Sequence, residues 1–167
     1  LLYGEEVYLK RQYRDKLLAA LTLPGDTMNF SAYQGKDINP GELIDLAETL
    51  PFFAEKRVIL VEDSGFFKTT CDALAEYFPQ VNETTCFIFV ESEVDKRGRT
   101  YKAVKKSGSA VEFIPQTESV LTRWVLGRIK RENKNITQPV LSMFFERTGF
   151  DMSNIDRELE KLLCYTL

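Results

Sequence analysis

Lys10 follows Gly4 by six residues, the spacing at which a phosphate-binding loop of pattern GxxxxGK[ST] carries its first glycine and its lysine. Such a loop works through backbone N–H groups and a helix start that cradle phosphate oxygens, a lysine that reaches the outer phosphates and a hydroxyl that holds magnesium. Only the lysine fits here. Leu9 stands where the second glycine belongs and Arg11 where the hydroxyl belongs, and Glu5 and Glu6 put negative charge into the stretch that would approach phosphate. The expectation is a degenerate nucleotide site that neither binds nor hydrolyses ATP, with no cofactor and no metal. Glu62-Asp63, after an apolar run, imitates the acidic pair that holds magnesium in nucleotide hydrolases. Without a phosphate loop it has no counterpart, and it reads as two carboxylates at the exposed end of a strand.

Other chemistries are removed by composition. The chain has no histidine, which excludes Ser-His-Asp and Cys-His nucleophile pairs, HExxH zinc sites and imidazole proton shuttles. Cys71, Cys86 and Cys164 share no CxxC spacing and read as small buried hydrophobes in a reducing compartment, which places the protein in the cytoplasm. Nothing singles out one carboxylate pair for glycoside hydrolysis among 25 acidic residues. Apolar stretches such as Cys86-Phe87-Ile88-Phe89-Val90 fall far short of the roughly 20 residues of a membrane helix, so no membrane partner is expected. With 22 basic and 25 acidic residues the net charge is −3, against the balance of a bulk nucleic-acid binder.

Two local features stand out from that background. Lys96, Arg97 and Arg99, continued by Lys102, Lys105 and Lys106, set six positive charges against Asp95 within twelve residues. Such a run is either a surface for DNA phosphates or a solvated helix face. A second basic group, Arg123, Arg128, Lys130, Arg131 and Lys134, divides the same way. The other feature is Leu50-Pro51-Phe52-Phe53, followed by Ala-Glu-Lys-Arg. Proline ends the preceding helix just before two large aromatics, and charged residues follow, so the pair falls in a turn. The physics of the turn leaves two outcomes open: one ring folds back over the core, or both serve a partner.

The elements that must position these residues are read from periodicity. Short apolar runs at 1–3, 28–33, 57–61, 85–90 and 110–114 alternate with helical patterns, the signature of a parallel sheet covered by helices. The runs at 57–61 and 85–90 are apolar at successive positions, as strands buried on both faces must be. Leu9, Tyr13, Leu17, Ala20 and Leu21 form a stripe on a first helix, with Glu5 and Glu6 in its first turn and Pro24-Gly25 stopping it. Asn39-Pro40 opens a second helix, with Leu43, Ile44, Ala47 and Leu50 on its stripe. Helices near 70–78 and 96–106 complete the alternation. From Thr117 the pattern is helical only. Thr117, Thr137 before Pro139, and Asp151 or Ser153 cap three helices, with Gly149 stopping the second, and the aromatics of their stripes, Trp124 included, are expected in the core.

These residues resemble the family of delta subunits of bacterial DNA polymerase III, the clamp-loader component that opens the sliding clamp. The resemblance rests on Leu2-Tyr3-Gly4-Glu5-Glu6-Val7-Tyr8-Leu9, on Ala47 to Phe53 followed by Lys56-Arg57-Val58-Ile59-Leu60-Val61, on Val94-Asp95-Lys96-Arg97 with Tyr101-Lys102, and on Glu158-Leu159-Glu160-Lys161-Leu162, in that order along nearly the whole chain. It implies an AAA+-like (P-loop NTPase-like) α/β domain over 1–115 that has lost its nucleotide site, followed by a small three-helix lid domain over 116–167. It implies a non-catalytic subunit of the replicative holoenzyme, with the sliding clamp (the beta subunit) and the other loader subunits, gamma/tau and delta prime, as partners and DNA met only indirectly. It also implies a C-terminal helical collar beyond this stretch, so that the chain is expected to be a fragment, as its start without methionine also indicates. In the family two adjacent apolar residues wedge into a pocket on the clamp; here they fall on Phe52 and Phe53, beside Leu50 and Pro51. The alternative kept alongside is a nucleic-acid-binding module using Lys96, Arg97, Arg99 and Lys102.

Overall fold

The computed structural model describes residues 1–165, which divide into two compact units: residues 1–5 with 9–113, and residues 6–8 with the helices from 114 onward. The first unit holds β1 (Leu2–Tyr3), most of α1 (Val7–Leu21), β2 (Phe30–Gln34), α2 (Pro40–Glu48), β3 (Arg57–Glu62), α3 (Asp72–Tyr77), β4 (Thr85–Glu91), α4 (Arg99–Ser107) and β5 (Val111–Glu112). Every strand pairing is parallel, and the order across the sheet is β2-β3-β4-β1-β5. The five strands fall where the apolar runs placed them, with individual ends trimmed or extended by one or two residues.

Both faces of the sheet are covered. Val58 and Leu60 of β3 and Ile88 and Val90 of β4 pack with Leu9, Leu17, Leu18 and Leu21 of α1. Ile59, Val61 and Phe89 face the other way, toward Leu43 and Ala47 of α2, Leu74 and Tyr77 of α3 and Tyr101 and Val104 of α4. Successive residues of a strand point to opposite faces, so a strand between two helical layers must be apolar at every position. Val58, Ile59 and Val61 are at most 1% exposed, each contributing about 1.5–3 kcal/mol of burial. Asn39 caps α2 by accepting the Gly41 N–H at 2.9 Å, with Pro40 in the first helical position, as the sequence dictates. α1 starts later than its stripe predicted: it opens at Val7, so Glu5 and Glu6 precede the helix, and Glu6 Oε1 accepts the Tyr8 N–H at 3.1 Å.

The second unit contains α5 (Glu118–Arg131), α6 (Gln138–Thr148) and α7 (Met152–Tyr165). Leu121, Val125, Ile129, Leu141, Phe144, Phe145, Met152, Ile155 and Leu159 are its buried stripe. Asp151, and not Ser153, caps α7, its Oδ1 accepting the Asn154 N–H at 2.7 Å. Thr117 and Thr137 stand at N-cap positions without a side-chain cap bond. Trp124 departs from the expectation of a core residue: it is half-buried, with Tyr8 edge-on at 5.5 Å and the Arg128 guanidinium over its ring at 5.8 Å. Arg128 also bonds Asp156 and, at 2.8 Å, Glu160. The cysteines also depart from expectation, since Cys71 and Cys86 are half-buried and Cys164 is exposed; all three are free thiols. Among the described residues no helix is long and apolar enough to cross a membrane.

Candidate docking site

The segment between α2 and β3 must reverse the chain within a few residues. Thr49 ends α2 by bonding back to the Leu46 carbonyl through both its N–H, at 3.1 Å, and its hydroxyl, at 2.6 Å. Pro51 then rules out helical continuation. Phe53 closes the turn with φ +49°, a left-handed conformation that costs a non-glycine residue roughly 1 kcal/mol. The result exposes the aromatic pair. Phe52 is 55% and Phe53 93% accessible, the rings meet edge to face with centroids 4.6 Å apart, and Leu50 beside them is 71% accessible. Of the two outcomes left open by the sequence, the rings on the outside is the one observed. Leu23 and Met28, from the connection between α1 and β2, are exposed as well, and Leu23 and Phe53 share the lining of a hollow of about 460 Å³ with Leu21, Asp26, Asn29 and Ala54.

Sequence reasoning missed what holds the turn. Asn29 is buried, one step before the Phe30–Val58 pair in the β2–β3 register, and its main-chain oxygen accepts the Val58 N–H at 2.8 Å. Its side-chain amide bonds both edges of Phe52: Oδ1 accepts the Phe52 N–H at 2.6 Å and Nδ2 donates to the Phe52 carbonyl at 2.9 Å. Nδ2 also donates to Asp26 Oδ2 at 2.9 Å, while Asp26 Oδ1 accepts the N–H groups of Met28 and Asn29. These donors, the Asn29 amide first, hold the Asp26 carboxyl below the usual carboxylate range. Arg57, equally buried at the first position of β3, donates to three carbonyls, those of Met28 at 3.1 Å, Thr49 at 3.2 Å and Leu50 at 3.1 Å. The sequence shows an Asn just before one strand and an Arg at the start of the next, but their burial and their hold on the turn emerge only from strand register.

The remaining predicted residues are placed differently. Lys96 Nζ donates to both carboxylate oxygens of Glu112, at 2.8 and 2.7 Å, Arg97 Nε donates to Asp95 at 3.1 Å, and Arg99 pairs with Asp72 and Glu76. Three charges of the run are thus compensated within the chain, while Lys102, Lys105 and Lys106 stand exposed on α4. At the carboxyl ends of the central strands, Lys10 is 4% exposed and donates to the Glu91 carbonyl at 3.1 Å, and Glu62 accepts Arg14 at 2.7 Å. Gly4 has φ +112°, and a Cβ there would lie 2.3 Å from the Phe113 carbonyl oxygen. The glycine serves the close approach of the chain at β5. Among the described residues no group of three His, Cys, Asp or Glu is arranged to hold a metal ion.

Among solved structures, the Bacillus subtilis DNA clamp loader delta protein superposes with a TM-score of 0.74 at 23% identity, over 99% of this chain and 52% of that one. A DNA polymerase III gamma subunit-related protein of Thermotoga maritima gives 0.53 at 12% identity over 79% of this chain and 47% of its own, and AMPPCP-bound DnaA of Aquifex aeolicus gives 0.51 at 12% over 97% and 54%. The fold is therefore the AAA+-like parallel α/β fold. Among curated proteins, the DNA polymerase III subunit delta of Bacillus subtilis is 23% identical and the probable DNA polymerase III subunit delta of Aquifex aeolicus 24% identical, each over 98% of this chain. This chain covers 51% and 49% of them, about half the length of each relative. The sequence profile of the family described as DNA polymerase III, delta subunit, matches residues 1–114, more than half of the 167. The chain belongs to the DNA polymerase III delta subunit family.

Proposed function

We propose that this chain is the clamp-engaging part of a clamp-loader subunit, and that Phe52 and Phe53, flanked by Leu50 and Pro51, insert into an apolar pocket of the sliding clamp. The observation that carries the reading is the pair of adjacent exposed rings on a turn held by buried polar side chains. Two aromatics left in water are unfavourable for the free protein and become an asset when a partner covers them. Truncating each ring costs on the order of 2–4 kcal/mol of binding, a factor of ten or more per residue. Opening of a closed ring follows only if the wedge binds the strained clamp better than the closed one. In this reading the subunit does no catalysis itself. Residues 1–115 engage the clamp and 116–167 act as the helical lid, gamma/tau and delta prime are its neighbours in a cytoplasmic loader, and DNA is met through the assembly.

The test is the double substitution Phe52→Ala, Phe53→Ala, checked first for unchanged helix content and melting temperature, against a bacterial sliding clamp by pull-down and titration. Loss of binding of at least a hundredfold is expected, together with weak salt dependence of the parent interaction. Retention of parental affinity would place the wedge elsewhere. The Lys102, Lys105 and Lys106 surface supports the nucleic-acid reading instead if the chain binds duplex DNA with an affinity that falls steeply with salt.

A further inference from the structure

We infer that Asn29, oriented by Asp26, is a positioning residue that holds the Phe52–Phe53 turn in its docking conformation before any partner arrives; the inference rests on the clamp-binding reading above. A five-residue turn ending in a left-handed phenylalanine has no intrinsic reason to persist, since the free chain favours other backbone angles at Phe53. The amide of Asn29 supplies the missing constraint. It presents a donor and an acceptor to the carbonyl and N–H of Phe52, so the turn is bonded as a strand would be, by a side chain 23 positions away.

The direction of that amide is fixed from behind. Asp26 accepts only, so the NH2 group of Asn29 must face it, at 2.9 Å, which leaves Oδ1 turned to the Phe52 N–H. Arg57 completes the clasp by tying the carbonyls of Thr49 and Leu50, before the rings, to that of Met28. None of the three polar groups is needed to touch a partner. Their effect is to remove the ordering cost that a flexible loop would meet on binding. Aspartate is nearly isosteric with asparagine but cannot donate, and at position 29 it would set one carboxylate against another and against the Phe52 carbonyl.

Asn29→Asp and Asp26→Ala, made in this chain, test the inference against a bacterial sliding clamp. Asn29→Asp is expected to weaken clamp binding about tenfold or more, and Asp26→Ala about threefold or more, by restoring the ordering cost. In amide hydrogen exchange, both variants are expected to speed exchange at Phe52 while the β3 and β4 amides keep parental protection, an outcome that general destabilisation would not produce. In a Phe53→Ala background the effect of Asn29→Asp on binding should shrink to about threefold or less, because the ring it positions is gone. If Asn29→Asp costs the same factor with and without the Phe53 ring, or if Phe52 exchange is unchanged, the positioning role is overturned. If Phe52→Ala, Phe53→Ala binds as the parent does, the clamp-binding reading itself fails; if that variant loses binding while Asn29→Asp keeps it, only the positioning inference fails.

Discussion

Lys10 Nζ and the main-chain oxygen of Glu91 are hydrogen-bonded at 3.1 Å in the interior of the α/β unit, so the lysine that fits a phosphate-binding pattern is already engaged by the sheet. The carboxylate of Glu91 is occupied too, accepting the Ser64 and Gly65 N–H groups at 3.1 and 3.2 Å and the Ser64 hydroxyl. The polar groups around Lys10 and Glu91 satisfy one another.

One consequence is pH-dependent stability. Burial, the largest influence on Glu91, raises its carboxyl above the ordinary glutamate value, against the opposing pull of its hydrogen bonds. The folded chain therefore holds that proton more tightly than the unfolded chain, and from about pH 4.3 up to the raised value unfolding releases a proton and stability falls as pH rises. Glu91→Gln removes this loss. In urea titrations the stability of the variant relative to the parent should shift in the variant's favour as pH rises from about 4; a constant or reversed difference would contradict the assignment.

A second consequence concerns nucleotide. Addition of Mg-ATP at about a hundred times a micromolar-range dissociation constant would stabilise a binding-competent fold by about 2.7 kcal/mol, several degrees in melting temperature. No shift is expected for this chain, because Leu9 and Arg11 replace the residues that meet phosphate and magnesium and Lys10 is bonded internally. Calorimetric titration with Mg-ATP checks the same point directly.

Gly4→Ala tests whether the surviving glycine is structural. The substitution forces a Cβ to within 2.3 Å of the Phe113 oxygen at a φ of +112°. Destabilisation by about 2 kcal/mol or more is expected from chemical denaturation.

Phe53→Gly separates the backbone of the docking turn from its ring. Glycine accepts the left-handed angle freely, so this variant should be about 0.5–1 kcal/mol more stable than Phe53→Ala while binding the clamp no better. Paired melting curves and clamp titrations of the two variants decide it.

How much of this was legible follows from what kind of information each residue carries. β3 and β4 announced themselves, because a strand under two helical layers has to be apolar throughout, and Asn39-Pro40 announced the start of α2, because a cap is a local device. The aromatic pair was legible as a turn after Pro51, though not which way its rings face. Asn29 and Arg57 were not legible as a clasp. Asn29 reads locally as a turn residue and Arg57 as the polar start of a strand, and only the β2–β3 register brings them against Phe52, Thr49 and Leu50. Glu5 and Glu6 failed for a related reason: two acidic residues before an apolar stripe mark a helix start only to within a residue or two.

β3 carries Arg57 at its first residue and Glu62 at its last, about 17 Å apart over five extended steps. The Phe52–Phe53 turn enters at its amino end, whereas parallel α/β sheets hold their ligands beyond the carboxyl ends, where Lys10 bonds the Glu91 carbonyl. Residues at the two ends of one strand can therefore be substituted independently. A substitution at Lys10 or Glu91 touches no contact of the Phe52–Phe53 turn, and one at Asn29 leaves the Lys10–Glu91 bond in place. Between its ends β3 answers to the helices on its two faces, while Arg57 answers to the turn and Glu62 to Arg14.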